Sequence, residues 1–332
     1  MSKLSPETIW NLNEKELLNL LESDFLKQKH KEIRFYAPSF TYYKTKHYCS
    51  KPNSFPTISI TGTSCSLNCK HCGGQVLETM HPTLTPQELF GLCTKLKRDG
   101  AKGCLVSGGS LPDGSVPLDR FVDALARIKR ELGLTVFVHT GVITFETAVS
   151  LKHAGVDAAL IDIIGSAETI KKIYNLKLTP KDYVDSLKAL DKADLAFVPH
   201  VIVGLNEGKL DGEFEALKMV KQVKPSALVI IAFMPIRGTA MEKTLAPKPL
   251  DIAKVASVAR LMFPSIPLIL GCMRPKGAVR SETDVLALKA GVDAVAFPSE
   301  EAIKFAENQG HSVFFSSYCC ARMYLDTKTC KK

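Results

Sequence analysis

The sequence has no apolar run long enough to cross a membrane. Its longest runs, such as LVIIAFMPI (228–236), fall far short of the ~18 residues that a membrane helix needs. The first residues, MSKLSPETIW, lack the cationic stretch, apolar run and small-residue cleavage site of a secretory signal. We therefore expect a cytoplasmic protein that is not associated with a membrane.

A disulfide framework is not expected either, although the chain has ten cysteines. Without an export signal, the thiols face a reducing compartment that keeps them free. Several of them are therefore candidate metal ligands.

The sequence also lacks a continuous basic stripe of the kind that binds nucleic acid. The formal net charge is +9, but the lysines are scattered and interleave with acids. We expect no nucleic-acid partner. A solvated basic surface of this kind suits an acidic protein partner.

From Thr57 onward, about eight short apolar runs alternate with helical patterns. The runs are TISIT, CLVSG, TVFVH, DAALIDIIG, LAFVPHVIVG, SALVIIAFMP, PLILG and VDAVAF. Runs that are apolar throughout indicate parallel strands covered on both faces. We predict an α/β protein in which residues 57–310 form a (β/α)8 barrel of the TIM type. A doubly wound open sheet is the alternative that periodicity leaves open.

Two shorter segments flank the predicted barrel. Residues 1–56 are predicted to be an N-terminal extension, with helices at 7–12 and 14–29 followed by an aromatic-rich stretch. Residues 311–332 carry cysteines, and we expect this C-terminal segment to cover the barrel mouth. Barrel enzymes hold their chemistry in the segments that follow the carboxyl ends of the strands.

The segment after the first predicted strand, TGTSCSLNCKHCGG, contains Cys65, Cys69 and Cys72. Three thiolates so close together can each bind one iron of a four-iron cube and leave the fourth iron open, and soft sulfur ligands suit iron-sulfur clusters or zinc. A structural zinc normally needs a fourth ligand from a second knuckle, which is absent. His71 is the only local candidate for that ligand.

This C-x3-C-x2-C loop resembles the signature of the radical S-adenosylmethionine (SAM) superfamily, which usually has an aromatic residue where this chain has His71. The resemblance implies that Cys65, Cys69 and Cys72 hold a [4Fe-4S] cluster whose open iron binds SAM. It also implies reductive cleavage of SAM to methionine and a 5′-deoxyadenosyl radical.

The second predicted strand ends in Ser107, Gly108 and Gly109, where the family has a Gly-Gly-Glu-like motif that binds the SAM amino group. Ser110 replaces the acid. Glycine lets a ligand approach the backbone closely, so Gly109→Val is expected to weaken SAM binding and leave the cluster intact. A simple strand-to-helix turn is the alternative.

The fifth predicted strand, HVIVGLNE, resembles the family's adenine-pocket motif G-x-I-x-G-x-x-E. The resemblance assigns Ile202 and Gly204 to the SAM site, with His200 in place of the first glycine and Glu207 at the last position. PIRGT (235–239) resembles a second motif near adenine, Pro-x-x-Gly-Thr.

His139 and Asp162 end the third and fourth predicted strands. Polar residues at these positions face a barrel mouth, so they are predicted to contact the SAM ribose or the substrate. Hydrogen bonds to a neighbouring loop are the alternative.

A second iron-sulfur cluster is predicted from Cys272, which ends the seventh strand, together with Cys319 and Cys320. Adjacent cysteines in an extended segment point to opposite sides, so at most one of that pair is expected to be a ligand unless the chain turns there. Cys49 and Cys330 are further candidates. The alternative is that these thiols are small buried apolar groups, as we predict for Cys93 and Cys104.

Over residues 33–322 the chain resembles one subunit of the two-component, biotin-synthase-like lipoyl synthases. The segments that carry this resemblance are FYAPSF, SITGTSCSLNCKHCGGQVLETM, SGGSLPDGSVPL, VHTGV, DIIGSAETIKKIY, PHVIVGL, GCMRPKG and SSYCC. It implies sulfur insertion at C6 and C8 of an octanoyl chain on a carrier-protein lysine. It also implies three partners, namely a second related radical SAM subunit, an acidic lipoyl carrier protein and an electron donor.

This chain departs from the single-chain lipoyl synthases because its N-terminal part lacks their cysteine triplet and offers only Cys49. Two other functions stay open at this point. One is a biotin-synthase-like radical SAM enzyme that acts on a free small molecule. The other is a protein that binds zinc or an iron-sulfur cluster without catalysis.

Overall fold

A single sheet of eleven parallel strands forms the centre of the protein. The structure is a computed structural model that describes residues 4–26 and 32–329. The strands are β1 Glu32–Tyr36, β2 Thr57–Ser59, β3 His81–Pro82, β4 Gly103–Ser107, β5 Thr135–His139, β6 Ala158–Ile163, β7 Phe197–Val203, β8 Leu228–Ala232, β9 Leu268–Leu270, β10 Ala294–Ala296 and β11 Ser312–Ser316. Their order in the sheet is β11-β1-β10-β9-β8-β7-β6-β5-β4-β2-β3.

Within residues 4–26 and 32–329, twelve α-helices lie between and beside these strands. They are α1 Pro6–Trp10, α2 Glu14–Glu22, α3 Pro86–Arg98, α4 Val122–Arg127, α5 Phe145–His153, α6 Ala167–Tyr174, α7 Pro180–Lys192, α8 Glu213–Val220, α9 Pro249–Met262, α10 Ala278–Lys289, α11 Glu300–Asn308 and α12 Met323–Thr329. Capping boxes start α2, at Asn13 and Glu16, and α3, at Thr85 and Glu88. No helix in the described ranges is long and apolar enough to span a membrane.

The strand order confirms the predicted TIM-type α/β fold. The eight predicted strands are β2 and β4–β10, and they lie side by side in chain order. A doubly wound sheet reverses its strand order at a switch point, and no such reversal occurs along these eight strands. The sheet curls around a shared interior, and its two edges are β11 and β3.

Three strands were not predicted. β1 pairs with β10 on one side and with β11 on the other, so Arg34 lies between Ala294 and Phe314. The short β3 extends the other edge beside β2. Parts of both predicted flanking segments therefore belong to the sheet.

The C-terminal segment enters the interior of the curled sheet after β11. Cys320 and Met323 are buried there in one apolar cluster with side chains from β5 to β10. The Tyr36 hydroxyl donates a hydrogen bond of 2.7 Å to Asp326, and the Tyr324 hydroxyl donates one to the Asp157 carbonyl. The described part of this segment thus fills the interior, which differs from the expected cover over the mouth.

Candidate functional site

The cysteine loop follows β2 and is fixed by backbone hydrogen bonds. The amides of Cys72 and Gly73 both donate to the Cys69 carbonyl, at 3.2 and 2.7 Å. The Lys70 amide donates to the Ile173 carbonyl at 2.9 Å, which ties the loop to α6. The three cysteines are thus held in a short, well-defined loop at the carboxyl end of β2.

Two of the three thiols are in direct contact. Cys72 accepts a hydrogen bond from the Cys69 thiol, which lowers the pKa of Cys72 to about 4 and raises the pKa of Cys69. The Cys65 thiolate also raises the pKa of Cys69. The donor atoms of Cys69, His71 and Cys72 all lie within 4.8 Å of one another. The loop therefore brings together the soft donors that iron and zinc both bind.

The glycines after β4 pack against this loop. The Gly109 amide donates a 2.7 Å hydrogen bond to Thr61 Oγ1. A Cβ on Gly109 would lie 1.9 Å from the Ser64 carbonyl oxygen, whereas one on Gly108 would lie 3.1 Å from Thr61. Gly109 thus makes room for the cysteine loop itself. We therefore expect Gly109→Val to disturb the cysteine loop as well as SAM binding, which differs from the expectation based on sequence.

Ser107 is the last residue of β4 and pairs with Ser59 of β2. Its carbonyl accepts a 2.8 Å hydrogen bond from the Ile60 amide. The predicted SAM segment, Ser107 to Gly109, therefore lies beside the start of the cysteine loop.

His139, Asp162 and His200 form a polar patch in the otherwise apolar interior. Each lies two residues after an interior side chain of its own strand, namely Phe137, Leu160 and Val198, so all three share the interior face. His139 Nε2 lies 3.4 Å from Asp162 Oδ1. One donor atom from each of the three residues lies within 4.8 Å of the others. The structure therefore brings these predicted site residues together.

The charges of this polar patch follow from its burial. Burial lowers the pKa of His200 to about 4, so its ring is neutral at pH 7. Burial also disfavours the charged form of His139, but the Asp162 carboxylate outweighs this effect and raises the pKa of His139. Burial alone would raise the pKa of Asp162, yet His139 lowers it.

Two atoms of the polar patch have no hydrogen-bond partner within the described protein. They are Asp162 Oδ1 and His200 Nδ1, both buried. Buried polar atoms are normally paired. Asp162 Oδ1 has only the 3.4 Å ion-pair contact with His139, and His200 Nδ1 has no partner, so both can accept or share a hydrogen bond with a bound ligand. This favours the predicted ligand contacts over hydrogen bonds to a neighbouring loop.

The loop after β7 is held by a carboxylate that the sequence analysis missed. Glu213 accepts hydrogen bonds from the amides of Gly204, at 2.8 Å, and Asp211, at 2.6 Å. Burial raises the pKa of Glu213 to about 7. Glu207, which was matched to the family motif, is exposed and pairs with Lys172 at 2.8 Å. The acidic residue at the start of α8 was the available signal for Glu213.

Gly204 and Ile202 lie where the adenine motif was expected. Gly204 has a positive φ of 72°, and a Cβ there would lie 2.7 Å from Pro247. Ile202 is half-buried on β7 and shares the strand face of His200. Both residues are therefore at the carboxyl end of β7, next to the polar patch.

The loops after β2 and β8 meet although four strands separate them in the sheet. A Cβ on Gly238 would lie 2.7 Å from Gln75 Nε2, and one on Gly73 would lie 3.9 Å from Thr239. The predicted motif Pro235 to Thr239 therefore contacts the cysteine loop.

Cys272 and Cys319 form the second group of thiols. Burial raises the pKa of Cys272 to about 11, and the nearby Cys319 contributes to this increase. Cys319 also accepts a hydrogen bond from Cys320, which is itself buried in the interior cluster. His139 is close enough to Cys319 for their charges to interact. Cys272 and Cys319 thus lie near the polar patch, while Cys320 packs into the core.

The other described cysteines, Cys49, Cys93 and Cys104, lie in different environments. Cys49 is exposed in a hairpin closed by a Lys44–Cys49 bridge, and Cys330 lies outside the described residues. Cys93 and Cys104 are buried in the main apolar core, as predicted.

The sequence profile of the radical SAM superfamily matches residues 59–217, from the cysteine loop through most of α8. This match covers the C-x3-C-x2-C loop, the glycines after β4 and the polar patch. These residues form a radical SAM domain.

Comparison with known proteins agrees with this assignment. A biotin synthase of Neorickettsia sennetsu is 27% identical over 265 residues, covering 77% of this chain and 78% of the relative. A biotin synthase of Coxiella burnetii is 25% identical over 290 residues, covering 85% and 88%.

Two solved structures share the fold. The [FeFe]-hydrogenase maturase HydG aligns with a TM-score of 0.66 and 18% identity, over 98% of this chain and 75% of HydG. Methylornithine synthase (PylB) aligns with a TM-score of 0.63 and 18% identity, over 98% and 95%. At this identity they support the fold alone.

Radical SAM enzymes use a [4Fe-4S] cluster and SAM, and the residues of this site suit both. Cys65, Cys69 and Cys72 supply soft donors. Cys65 is not one of the three residues, Cys69, His71 and Cys72, whose donor atoms lie within 4.8 Å of one another, so the three thiols suit a cluster of several irons better than a single ion. Asp162 Oδ1 and His200 Nδ1, which form no hydrogen bond within the described protein, offer partners to the polar groups of SAM.

Proposed function

We propose that this radical SAM enzyme inserts sulfur into an octanoyl chain attached to a carrier-protein lysine, in lipoyl cofactor biosynthesis. One observation carries the proposal. The polar patch of His139, Asp162 and His200 lies between two groups of thiols, since His71 of the cysteine loop acts on Asp162 and Cys319 acts on His139. A substrate bound beside the patch would lie near both groups.

The first group would hold the radical-generating cluster through Cys65, Cys69 and Cys72. Bound there with SAM, the [4Fe-4S] cluster supplies the electron that cleaves SAM, and the resulting radical can abstract hydrogen from an unactivated C–H bond. The protein orients SAM through the polar patch and the loop after β7. Neutral His200 adds a hydrogen-bonding atom without adding charge.

The second group would hold an auxiliary iron-sulfur cluster through Cys272 and Cys319. Such a cluster would supply a sulfide that bonds to the carbon radical left by hydrogen abstraction, and its iron would take up the electron released when the C–S bond forms. Cys320 supports the site differently, because it donates a hydrogen bond to Cys319 from the buried core. Of the adjacent pair, we therefore assign Cys319 as the ligand.

The proposed reaction needs three partners. They are a second related radical SAM subunit, an acidic lipoyl carrier protein and an electron donor. The net charge of +9 suits an acidic carrier.

The test is an anoxic assay with dithionite, SAM and an octanoyl-lysyl peptide, with and without the candidate second subunit. We expect 5′-deoxyadenosine together with a thiolated octanoyl product, identified by mass spectrometry. SAM cleavage that yields no sulfur-containing octanoyl product in either arm would rule out the proposed reaction and leave the radical SAM assignment intact.

A second candidate reaction is favoured by the relatives, which are biotin synthases. In that case the substrate is a free small molecule. The same assay with dethiobiotin and free octanoic acid in place of the peptide separates the two. Turnover of a free acid in preference to the peptide would favour this second candidate.

A further inference from the structure

A groove lies beside the interior opening, between the loop after β8 and the loop after β9. It has a volume of about 510 Å³, and we call it the β8–β9 groove. Its apolar lining residues are Met234, Pro235, Ile236, Ala246, Pro275 and Val279. Lys276 completes the lining.

Exposed apolar side chains concentrate on this side of the protein. In the described ranges, six of the nine exposed large apolar residues follow the carboxyl ends of strands, namely Tyr42, Val76, Leu84, Leu111, Leu245 and Val279. Leu245, in the loop after β8, is 84% exposed, and Val279, in the groove, is 41% exposed. Single exposed apolar residues are ordinary, but Val279 in the groove and Leu245 beside the lining residue Ala246 extend an already apolar groove, which is typical of a binding surface.

Basic residues flank the same groove. Lys276 lines the groove, and Lys243 lies three positions before the lining residue Ala246 in the sequence. Both are exposed, and neither forms an ion pair with another described residue. The neighbouring acid, Glu242, instead accepts a 2.7 Å hydrogen bond from the Gly238 amide. An apolar groove with unpaired cations at its edge is complementary to an acidic partner with a small apolar contact region.

The groove also lies next to the site. Cys272, a proposed ligand of the auxiliary cluster, is three residues before Pro275 in the loop that lines the groove. The other lining loop contacts the cysteine loop through Gly238 and Gln75. A protein bound here would present a modified lysine directly beside the opening of the interior.

We infer that the β8–β9 groove is the docking site for an acidic carrier domain that presents an acylated lysine to the interior. This inference rests on the proposed function. A carrier bound in this groove would place its acyl chain at the carboxyl ends of β8 and β9, where Cys272 lies. Lys243 and Lys276 would then attract the acidic side chains of the carrier, while Leu245 and Val279 would contact its apolar region.

The test measures binding of an octanoylated, acidic lipoyl carrier domain to the anoxically reconstituted holoenzyme. Lys243→Glu/Lys276→Glu is expected to raise the Kd for the carrier at least tenfold at low salt. The difference should be smaller at high salt because ions screen the interaction. Leu245→Ser is expected to raise the Kd several-fold. SAM cleavage without carrier should be unchanged in both variants.

The matched control is Lys97→Glu/Lys224→Glu, which makes the same charge change at exposed positions in segments that precede strands. It should bind the carrier as the wild type does. Equal weakening of carrier binding in this control would overturn the inference. So would a wild type that does not bind the carrier, or a Lys243→Glu/Lys276→Glu variant that loses binding only to the second subunit.

The outcomes of the binding test and of the activity test are independent of each other. Groove-dependent carrier binding without sulfur transfer would leave the docking site standing and remove the proposed reaction. Undiminished sulfur transfer to a limiting concentration of carrier by Lys243→Glu/Lys276→Glu would remove the docking site and leave the reaction.

Discussion

Gly109 has no room for a side chain, because Cys65 occupies the space where its Cβ would lie. That atom would come within 2.7 Å of Cys65 Cβ and 2.6 Å of Cys65 Cα. The end of β4 therefore shapes the cysteine loop, although 44 positions separate the two residues in the sequence (109 minus 65).

Gly109→Ala is expected to displace the cysteine loop and weaken the catalytic cluster. The added methyl group would meet the backbone of Ser64 and Cys65, which has to shift. We expect iron to fall by up to about four atoms per chain after anoxic reconstitution, with a matching loss of 5′-deoxyadenosine formation. Iron analysis and the visible absorption of the protein check this.

Two other glycines provide controls. Gly91, on α3, has nothing within 4 Å of its Cβ position, and Gly108 meets Thr61 only at 3.1 Å. Gly91→Ala should retain full iron, and Gly108→Ala should lose less than Gly109→Ala. Full iron in Gly109→Ala would show that the loop tolerates the side chain, contrary to this account.

Cys272 and Cys319, and not Cys320, are expected to hold the auxiliary iron. In a protein that already has Cys65, Cys69 and Cys72 changed to Ala, iron should be about four per chain if the auxiliary cluster is a cubane. Adding Cys272→Ala or Cys319→Ala should remove most of this iron. Adding Cys320→Ala should retain most of it.

Cys93→Ala in the same background is the control for loss of a buried thiol, since Cys93 lies in the main core. It should leave the remaining iron unchanged. If the starting protein is already free of iron, there is no auxiliary cluster, and sulfur insertion loses its support.

Glu213 is expected to make stability depend on pH. Its pKa is raised from 4.5 to about 7 by burial, so the folded protein binds more protons than the unfolded chain between these values. The free energy of unfolding should therefore fall as pH rises from about 4.5 to 7, by up to about 3 kcal/mol. Chemical denaturation at several pH values measures this slope.

Glu213→Gln should flatten that slope, because the side chain no longer ionises. The amide oxygen can still accept a hydrogen bond from Gly204 or Asp211. Glu207→Gln, at the exposed position, is the control and should keep the slope. An unchanged slope in Glu213→Gln would contradict the assignment of this carboxylate.

The sequence predicted the eight central strands because parallel strands covered on both faces are apolar throughout. It did not predict β1 and β11. Their residues, EIRFY and SVFFS, are short and partly polar, and their pairing joins positions such as Arg34 and Phe314 that are far apart in the chain. Local periodicity contains no information on such a pairing.

The site was predictable where a motif fixes chemistry and spacing together, as in Cys65, Cys69 and Cys72. It was not predictable where tertiary packing decides. The choice between Glu207 and Glu213 depends on which carboxylate reaches the Gly204 amide, and that between Cys319 and Cys320 depends on which thiol is buried in the core. Likewise, only the structure shows that Gly109 contacts Cys65.

The most direct test of radical SAM chemistry at the cysteine loop compares 5′-deoxyadenosine formation by the wild type and by the Cys65→Ala/Cys69→Ala/Cys72→Ala protein. Both are reconstituted anoxically and reduced with dithionite in the presence of SAM. We expect formation by the wild type and none by the triple variant, because no thiolate remains to hold the catalytic iron. Persistent formation of 5′-deoxyadenosine by the triple variant would contradict the account.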